Sequence, residues 1–313
     1  MKKKISVVVP TYNEYENVEL LVNEVNKVFE DGLNDYDYEI IFIDNYSLDK
    51  TRDKIIEMAV KDKRIKAIFN AKNFGQLNSP YHGMTQATGD CVILMVADLQ
   101  DPPEKIKEFV AEWEKGYKIV VGIKTKSKES KIMYFLRTMF YKTIKKISNV
   151  EHIEHFTGFG LYDKDFIKIL GSLNDPQPYL RGIVAELGFT RKEISYTQPQ
   201  RKFGKTKNNF FTLYDIGMLG ITSYSKVVLR TATIFGFIIA GLSILVSIIY
   251  LILKLLYWNM FPAGTAPIII GMFFLGGIQL FFIGFLGEYI MNINTRVMNR
   301  PLVVEEERIN FDK

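Results

Sequence analysis

Two stretches in the C-terminal third of the chain, residues 234–253 and 267–286, each run for twenty residues without a charged side chain. At about 1.5 Å of rise per residue, each would reach about 30 Å as a helix, the thickness of a bilayer's hydrocarbon core. Buried helices of soluble proteins rarely run so long without a charge, so two membrane-spanning helices are expected. Both stretches lie far from the N-terminus, so a signal peptide does not explain them. The composition changes at the same place: residues 1–230 are rich in Lys, Asp, Glu and Asn, and residues 231–290 are mostly apolar. The expected layout is a soluble domain over 1–208, a juxtamembrane amphipathic helix over 209–230, two transmembrane helices within 231–290 and a tail over 291–313.

Charge sets the orientation. Lys226 and Arg230 precede the first stretch, Arg296 and Arg300 follow the second, and the link 258–266 carries no charge. Positive charge stays inside, so both long ends are expected in the cytoplasm and the link outside. Tyr257 and Trp258 suit an interfacial anchor, and Lys254 would snorkel outward. The formal net charge is a modest +5. Basic residues gather in 124–146 and 201–207, which suits anionic lipid heads or phosphates. Nothing resembles a nucleic-acid recognition module, so no nucleic acid partner is expected. One cysteine, Cys91, rules out a disulfide within the chain and agrees with a reducing compartment. His152 and His155, without two further ligands nearby, do not make a zinc site.

Up to residue 122, β-branched runs alternate with helical periodicity. Residues 5–9, 38–43, 64–69, 91–96 and 118–122 read as strands. Residues 17–29, 49–60, 75–88 and 103–115 read as helices, the last with Pro103 in its first turn. This alternation implies an α/β domain with a mostly parallel sheet covered on both faces. Ligands of such sheets bind beyond the C-terminal ends of the strands. Polar residues at 11–14, 44–49 and 98–104 sit at three of those ends. Asp101 is a candidate cap for the helix that follows it, and Asp49 either caps a helix or meets a nucleotide. Residues 131–147 form a basic amphipathic pattern that fits either a membrane interface or the surface of the sheet. Residues 210–223, next to the first apolar stretch, are a second interfacial candidate.

Several motifs then carry a family resemblance. Val7-Val8-Val9-Pro10-Thr11-Tyr12-Asn13-Glu14 resembles the opening strand of family 2 glycosyltransferases, which have the GT-A fold. Ile43-Asp44-Asn45-Tyr46-Ser47-Leu48-Asp49 resembles their second-strand nucleotide motif. Ala97-Asp98-Leu99-Gln100-Asp101-Pro102-Pro103-Glu104 is similar to the metal-binding turn of the polyprenyl-phosphate branch, which includes the dolichol-phosphate mannose synthases. Arg181-Gly182, the run 201–207, the run 220–226, Leu286-Gly287-Glu288-Tyr289-Ile290 and Arg300-Pro301 extend the match in order along nearly the whole chain. Three positions depart from the pattern. Val96 stands where the metal turn usually begins with Asp, Asn45 where a second Asp is usual, and Thr157-Gly158-Phe159-Gly160-Leu161 where an acidic, Arg-bearing stretch is usual.

The resemblance implies an inverting glycosyltransferase that moves a sugar from a nucleotide-diphosphate sugar to polyprenyl phosphate, undecaprenyl phosphate in bacteria. The site would lie on the cytoplasmic face of the inner membrane, and the product would serve surface-glycan synthesis. It implies a divalent metal, Mg²⁺ or Mn²⁺, held by Asp98 and Gln100 against the departing diphosphate. Pro10, Thr11, Glu14, Asp44, Asn45 and Asp98 would bind the nucleotide sugar. A phosphate acceptor is already an anion and needs no general base, only cations to hold it. Arg181, Arg201, Lys205 and Lys207 are the candidates, with Lys124 and Arg137 behind them. Asp98, Gln100, Arg181 and Arg201 are thus the expected catalytic set. Related enzymes can assemble through their membrane helices, so a homo-oligomer is a further expectation. Two other readings stay open. One is transfer to a hydroxyl of a lipid-linked saccharide, with His155 as a candidate base. The other is a membrane nucleotide-sugar-binding protein without activity.

Overall fold

A computed structural model describes residues 2–126, 153–201, 203, 210–225, 227–257 and 265–311. Arg137, His152, Lys205, Lys207, Lys226 and Trp258, and the amphipathic pattern at 131–147, lie outside the described residues. The first half alternates β1 (Lys4–Thr11), α1 (Tyr15–Glu30), β2 (Asp37–Asp44), α2 (Thr51–Lys61), β3 (Ile65–Asn70), α3 (Gly75–Thr85), β4 (Cys91–Leu94), α4 (Lys105–Glu114) and β5 (Ile119–Lys126). After these come β6 (Phe156–Asp163), α5 (Lys164–Ser172), α6 (Leu180–Glu186) and β7 (Arg191–Thr197). The chain ends with α7 (Phe210–Tyr224), α8 (Val227–Leu256), α9 (Thr265–Val297) and β8 (Glu305–Ile309).

The described strands form one eight-stranded sheet in the order β7-β5-β6-β4-β1-β2-β3-β8. The pairs β1–β2, β2–β3, β1–β4 and β5–β7 are parallel. β6 lies antiparallel between β4 and β5, and β8 lies antiparallel on the outer edge of β3. The mostly parallel expectation holds, with two reversed strands added.

Strand alternation builds two cores. Ile5, Val7 and Val9 of β1 and Ile40 and Phe42 of β2 point to one face, where α1, α2 and α4 cover them with residues such as Leu21, Val25, Ile55 and Phe109. Val8, Ile41 and Ile43 point to the other face, under Tyr81 and Met84 of α3 and Phe166 and Leu170 of α5. With both faces covered, the strands read as continuous apolar runs, as in buried parallel sheets. Each fully buried Val or Ile contributes about 1.5–3 kcal/mol. Cys91 is buried in the first core, and burial pushes its thiol well above the ordinary range, as expected of an inert side chain. Gly160 lets β6 enter the sheet: a Cβ there would stand 2.5 Å from the Val120 carbonyl oxygen of β5.

The order of strands defines a crevice. The chain runs outward from β1 to β2 and β3, then returns to place β4 on the other side of β1. Loops leaving β1 and β4 therefore part in opposite directions, and the gap between them is the usual ligand site of such sheets. At the opposite end of the strands, Glu39 of β2 is almost fully buried. It accepts hydrogen bonds from Lys4 Nζ at 2.6 Å, Ser6 Oγ at 2.6 Å and the Thr88 backbone N–H at 3.0 Å, and Lys66 Nζ stands 2.9 Å away. Burial alone would push this carboxyl up; the bonds from Lys4, Ser6, Lys66 and Thr88 outweigh it and hold the group at about 2.

The C-terminal helices join one another, and through Arg296 the sheet domain, by polar contacts at one end. Tyr214 of α7 donates to Glu288 Oε1 of α9 at 3.1 Å, and Tyr289 donates to the Ser225 carbonyl at 2.7 Å. Asn292 donates to Thr222 Oγ1 at 2.8 Å, and Arg296 pairs with Asp175 at 3.3 Å. Gly182 of α6 fits directly beneath the Tyr224 ring, where a Cβ would come within 2.3 Å. Among the described residues, one helical segment, Phe274–Val297 of α9, is long and apolar enough to cross a membrane, with a mean hydropathy of 1.6 and no residue of its apolar stretch buried inside the fold. A shorter apolar stretch, Leu229–Ile239, lies in α8.

Candidate active site

Three strand ends meet at the crevice, and each loop that leaves them contains a residue other than glycine with positive φ: Asn13 (54°) after β1, Tyr46 (68°) after β2 and Leu99 (59°) after β4. Such conformations cost of order 1–3 kcal/mol each and gather where a site has to be shaped. The loops hold one another. Asn13 N–H donates to Ser47 Oγ at 2.8 Å, Leu48 N–H donates to Asn13 Oδ1 at 2.7 Å, and Glu14 N–H donates to Thr51 Oγ1 at 2.8 Å. Pro10 is the last residue but one of β1 beside them, and Thr11, which ends the strand, donates through Oγ1 to Asp44 Oδ1 at 3.2 Å.

Asp44 is buried, and its oxygens also accept from Ser47 Oγ at 2.5 Å and Ser47 N–H at 2.9 Å. Burial pushes its carboxyl up, and the Ser47 and Thr11 bonds oppose this. Asp44 thus shapes the β2 turn at the same time as it borders the crevice. Asn45 is turned further inward than its place in the nucleotide motif suggests. Its amide donates to Asn73 Oδ1 at 2.8 Å and to the Gly75 carbonyl at 3.2 Å, and its oxygen accepts from Phe74 N–H at 2.8 Å. Asn45 therefore fastens the loop between β3 and α3. An Asp could accept from Phe74 but could not donate to Asn73 or Gly75. Asp49 accepts from Thr51 N–H at 2.9 Å, which satisfies a first-turn donor of α2.

Beyond β4, Asp98 and Asp101 divide the work. Asp98 is nearly buried; its Oδ1 accepts from Gln100 N–H at 3.0 Å, and its Oδ2 stands 3.6 Å from Arg201 Nε. Burial raises its carboxyl, and the Gln100 bond and the Arg201 charge pull the other way. Gln100 follows it, half-buried. Asp101 does not cap α4, contrary to the sequence expectation. The helix starts later, at Lys105, and has no side-chain cap at Glu104. Asp101 Oδ2 instead accepts from Val96 N–H at 3.0 Å and Oδ1 from Tyr196 OH at 3.1 Å. Burial pushes this carboxyl up to about 7. Val96 itself is 39% exposed, an apolar side chain where the family pattern has a carboxylate.

Arg201 follows β7 by four residues and reaches across the crevice. Its guanidinium pairs with Glu14 Oε1, its Nε donates to the Phe203 carbonyl at 2.9 Å, and Asp98 lies beside it. The structure thus brings together Glu14, Asp98 and Arg201 from three separate parts of the sequence. Arg181 stands on a different element, as the second residue of α6, half-buried, with its charge acting on the Tyr162 phenol. Lys124 is buried at the far end of β5, near Asp101. His155 carries a positive φ and supplies its carbonyl to Lys124 N–H at 3.3 Å. Tyr196 was not singled out in the sequence, because a lone tyrosine in the polar run Arg191–Thr197 has no distinguishing pattern.

Among the described residues no three His, Cys, Asp or Glu side chains are grouped to hold a metal. The donor set is one carboxylate, Asp98, with a neighbouring amide oxygen on Gln100. That is compatible with a hard divalent ion, which is commonly bound by one or two carboxylates together with substrate phosphates and water.

The family model for glycosyl transferase family 2 matches residues 6–188. The CsbB protein of Bacillus subtilis strain 168 is 34% identical over 300 residues, covering 95% of this chain and 89% of that protein. The SfII prophage-derived bactoprenol glucosyl transferase of Shigella flexneri is 33% identical over 300 residues, covering 95% of this chain and 96% of that protein. Among solved structures, glucosyl-3-phosphoglycerate synthase of Mycobacterium tuberculosis overlays 70% of this chain and 76% of its own, with a TM-score of 0.49 at 15% identity.

Proposed function

The chain belongs to glycosyl transferase family 2, and from that premise we propose that it moves a sugar from a nucleotide-diphosphate donor to the phosphate of a polyprenyl lipid at a membrane surface. It is a glycosyltransferase with the GT-A fold of that family. The observation that carries the reading is the Asp98–Arg201 pairing at the mouth of β4, in a chain that continues into α9.

A departing nucleoside diphosphate accumulates negative charge that the site has to neutralise. A bound Mg²⁺ or Mn²⁺ supplies Lewis-acid neutralisation of that charge. Asp98 and Gln100 are the residues that would hold it. Arg201 supplies a fixed cation at the same place, held by Glu14 before any ligand arrives. With Val96 in place of a carboxylate, this guanidinium takes a larger share of the neutralisation. Electrostatic groups fixed in advance cost no reorganisation during reaction, which is what makes them effective.

The proton balance supports the acceptor class. A hydroxyl acceptor needs a general base within hydrogen-bond reach. At the crevice, Asp101 has both oxygens engaged by Val96 and Tyr196, and Glu14 is paired with Arg201. A lipid phosphate arrives as an anion and needs only cations. Arg181, Lys205 and Lys207 are proposed for that role, with Arg201 shared between donor and acceptor.

Topology supports placement on one side of a bilayer. The chain leaves the sheet after β7 and returns to it as β8, so any membrane crossings between them must be even in number. If α9 spans, α8 spans too. Residues 1–208 and 291–313 would then be cytoplasmic, with 209–230 at the interface and 231–290 in an inner-membrane hairpin. The test is a transfer assay with purified protein, undecaprenyl phosphate and a panel of UDP- and GDP-sugars, with and without Mn²⁺. An acid-labile lipid-phosphate sugar is the expected product. A stable glycoside would indicate a hydroxyl acceptor, and nucleotide binding without transfer under any metal would indicate a binding protein.

A further inference from the structure

We infer that Tyr196 and Asp101 form a positioning pair that sets the approach of Arg201 to Asp98; this rests on the transfer reading above. The four residues make a closed ring. Asp98 and Asp101 are three residues apart on the β4 exit, Tyr196 and Arg201 are five apart on the β7 exit, and the two segments touch at both ends. One contact is the hydrogen bond from Tyr196 OH to Asp101 at 3.1 Å. The other is Arg201 Nε opposite Asp98 Oδ2 at 3.6 Å.

Each member of the pair is itself fixed. The Tyr196 ring is buried edge-on against Phe159 at 5.4 Å, and its carbonyl accepts from Thr125 Oγ1 at 3.0 Å. Asp101 accepts at once from Val96 N–H, where the chain leaves β4, and from Tyr196. One carboxylate therefore clamps both ends of the turn that carries Asp98 and ties that turn to β7. Beyond Thr197 the chain has no regular structure up to Arg201, so Tyr196 is the last packed side chain before the guanidinium. A buried carboxylate is costly to keep, and capping α4 does not explain it.

A double-mutant cycle tests the pair. Tyr196→Phe removes one hydroxyl and leaves the ring on Phe159. In the Arg201 background, Tyr196→Phe is expected to lower kcat for transfer about 10-fold, the scale of one hydrogen bond to a charged group. In an Arg201→Ala background it should change kcat less than about twofold, because no guanidinium remains to be positioned. The same four proteins are titrated calorimetrically with UDP and with GDP in the presence of Mn²⁺, and the coupling should appear there as well. Equal factors in both backgrounds, in transfer and in binding, would overturn the inference and assign the hydroxyl to general stability. A wild-type chain that binds nucleotide but transfers nothing would instead count against the reaction, and the binding cycle would still decide the pair. Asp101→Ala in place of Tyr196→Phe runs the cycle from the other partner, with melting curves to establish that each variant is folded.

Discussion

The two ends of the same sheet treat a buried carboxylate in opposite ways. At the N-terminal end of the strands, Glu39 is surrounded by two lysines, a serine and a backbone N–H, and is held at about 2. At the C-terminal end, burial wins: Asp44 and Asp98 are raised, and Asp101 is pushed up to about 7. Both ends bury charge, but only one compensates it fully. Where a carboxylate serves the fold, its partners are supplied by the chain. At the crevice burial prevails even at Asp101, whose two oxygens both accept hydrogen bonds, and the fold tolerates the cost.

The largest break in this comparison should come from Asp98→Ala. Transfer should fall roughly 100- to 1,000-fold, the scale of losing several kcal/mol of charge stabilisation. The melting temperature should hardly move, since burial already works against this carboxylate and Arg201 keeps its pair with Glu14. A matching loss of stability would place Asp98 with Glu39 and erase the distinction.

Glu39→Ala is the converse. It leaves Lys66 largely buried beside an empty place, and should destabilise the protein by about 3 kcal/mol, measured by denaturant unfolding in detergent. The folded fraction should transfer sugar at the normal rate. The same group predicts a pH dependence. Its folded pKa lies below the unfolded value, so its contribution is complete above about 4.5 and is lost as pH falls toward about 2. Glu39→Gln should lack that acid limb of the stability curve.

Asn45→Asp sharpens the comparison, because Asn45 sits at the functional end yet behaves as a structural residue. The variant would lose two donors and set a carboxylate against the Asn73 and Gly75 oxygens. A loss of about 1–3 kcal/mol is expected, with a raised KM for the donor as the loop loosens. A more active variant would show that Asn45 is a nucleotide ligand instead. The smallest effect should come from Arg52→Ala, which removes exposed pairs to Glu306 and Glu307 on β8. Exposed pairs are worth about 1 kcal/mol or less, so hydrogen exchange at β8 should rise while transfer stays unchanged.

Legibility followed burial. β1 to β5 were readable because their residues are apolar on both faces and bounded by polar loops. β6 was not, since its glycines interrupt the pattern; Gly160 is there for a close approach to β5 that only the packed sheet reveals. β8, with the sequence Glu305-Glu306-Glu307-Arg308-Ile309, has almost no apolar content. It is a strand because β3 offers a free edge and because Arg52 and His82 meet its acids. The candidate site was half legible. Asp98 and Arg201 could be named from motifs, but not their meeting, and Asp101 was read as a helix cap.

The amino-acid sequence alone determined the alternating α/β domain, the apolar C-terminal segments and the polar residues at three strand ends, because hydrophobic periodicity and charge are local properties. Only the tertiary structure decided which strands are neighbours, that the tail returns to the sheet as β8, and that Tyr196, Asp101, Asp98 and Arg201 close a ring. The ring and the return of β8 join residues about a hundred positions or more apart, and even β2 and β3 pair residues such as Ile40 and Ile65 that local sequence does not bring together. The energies of these contacts depend on distance and burial, which no local pattern encodes.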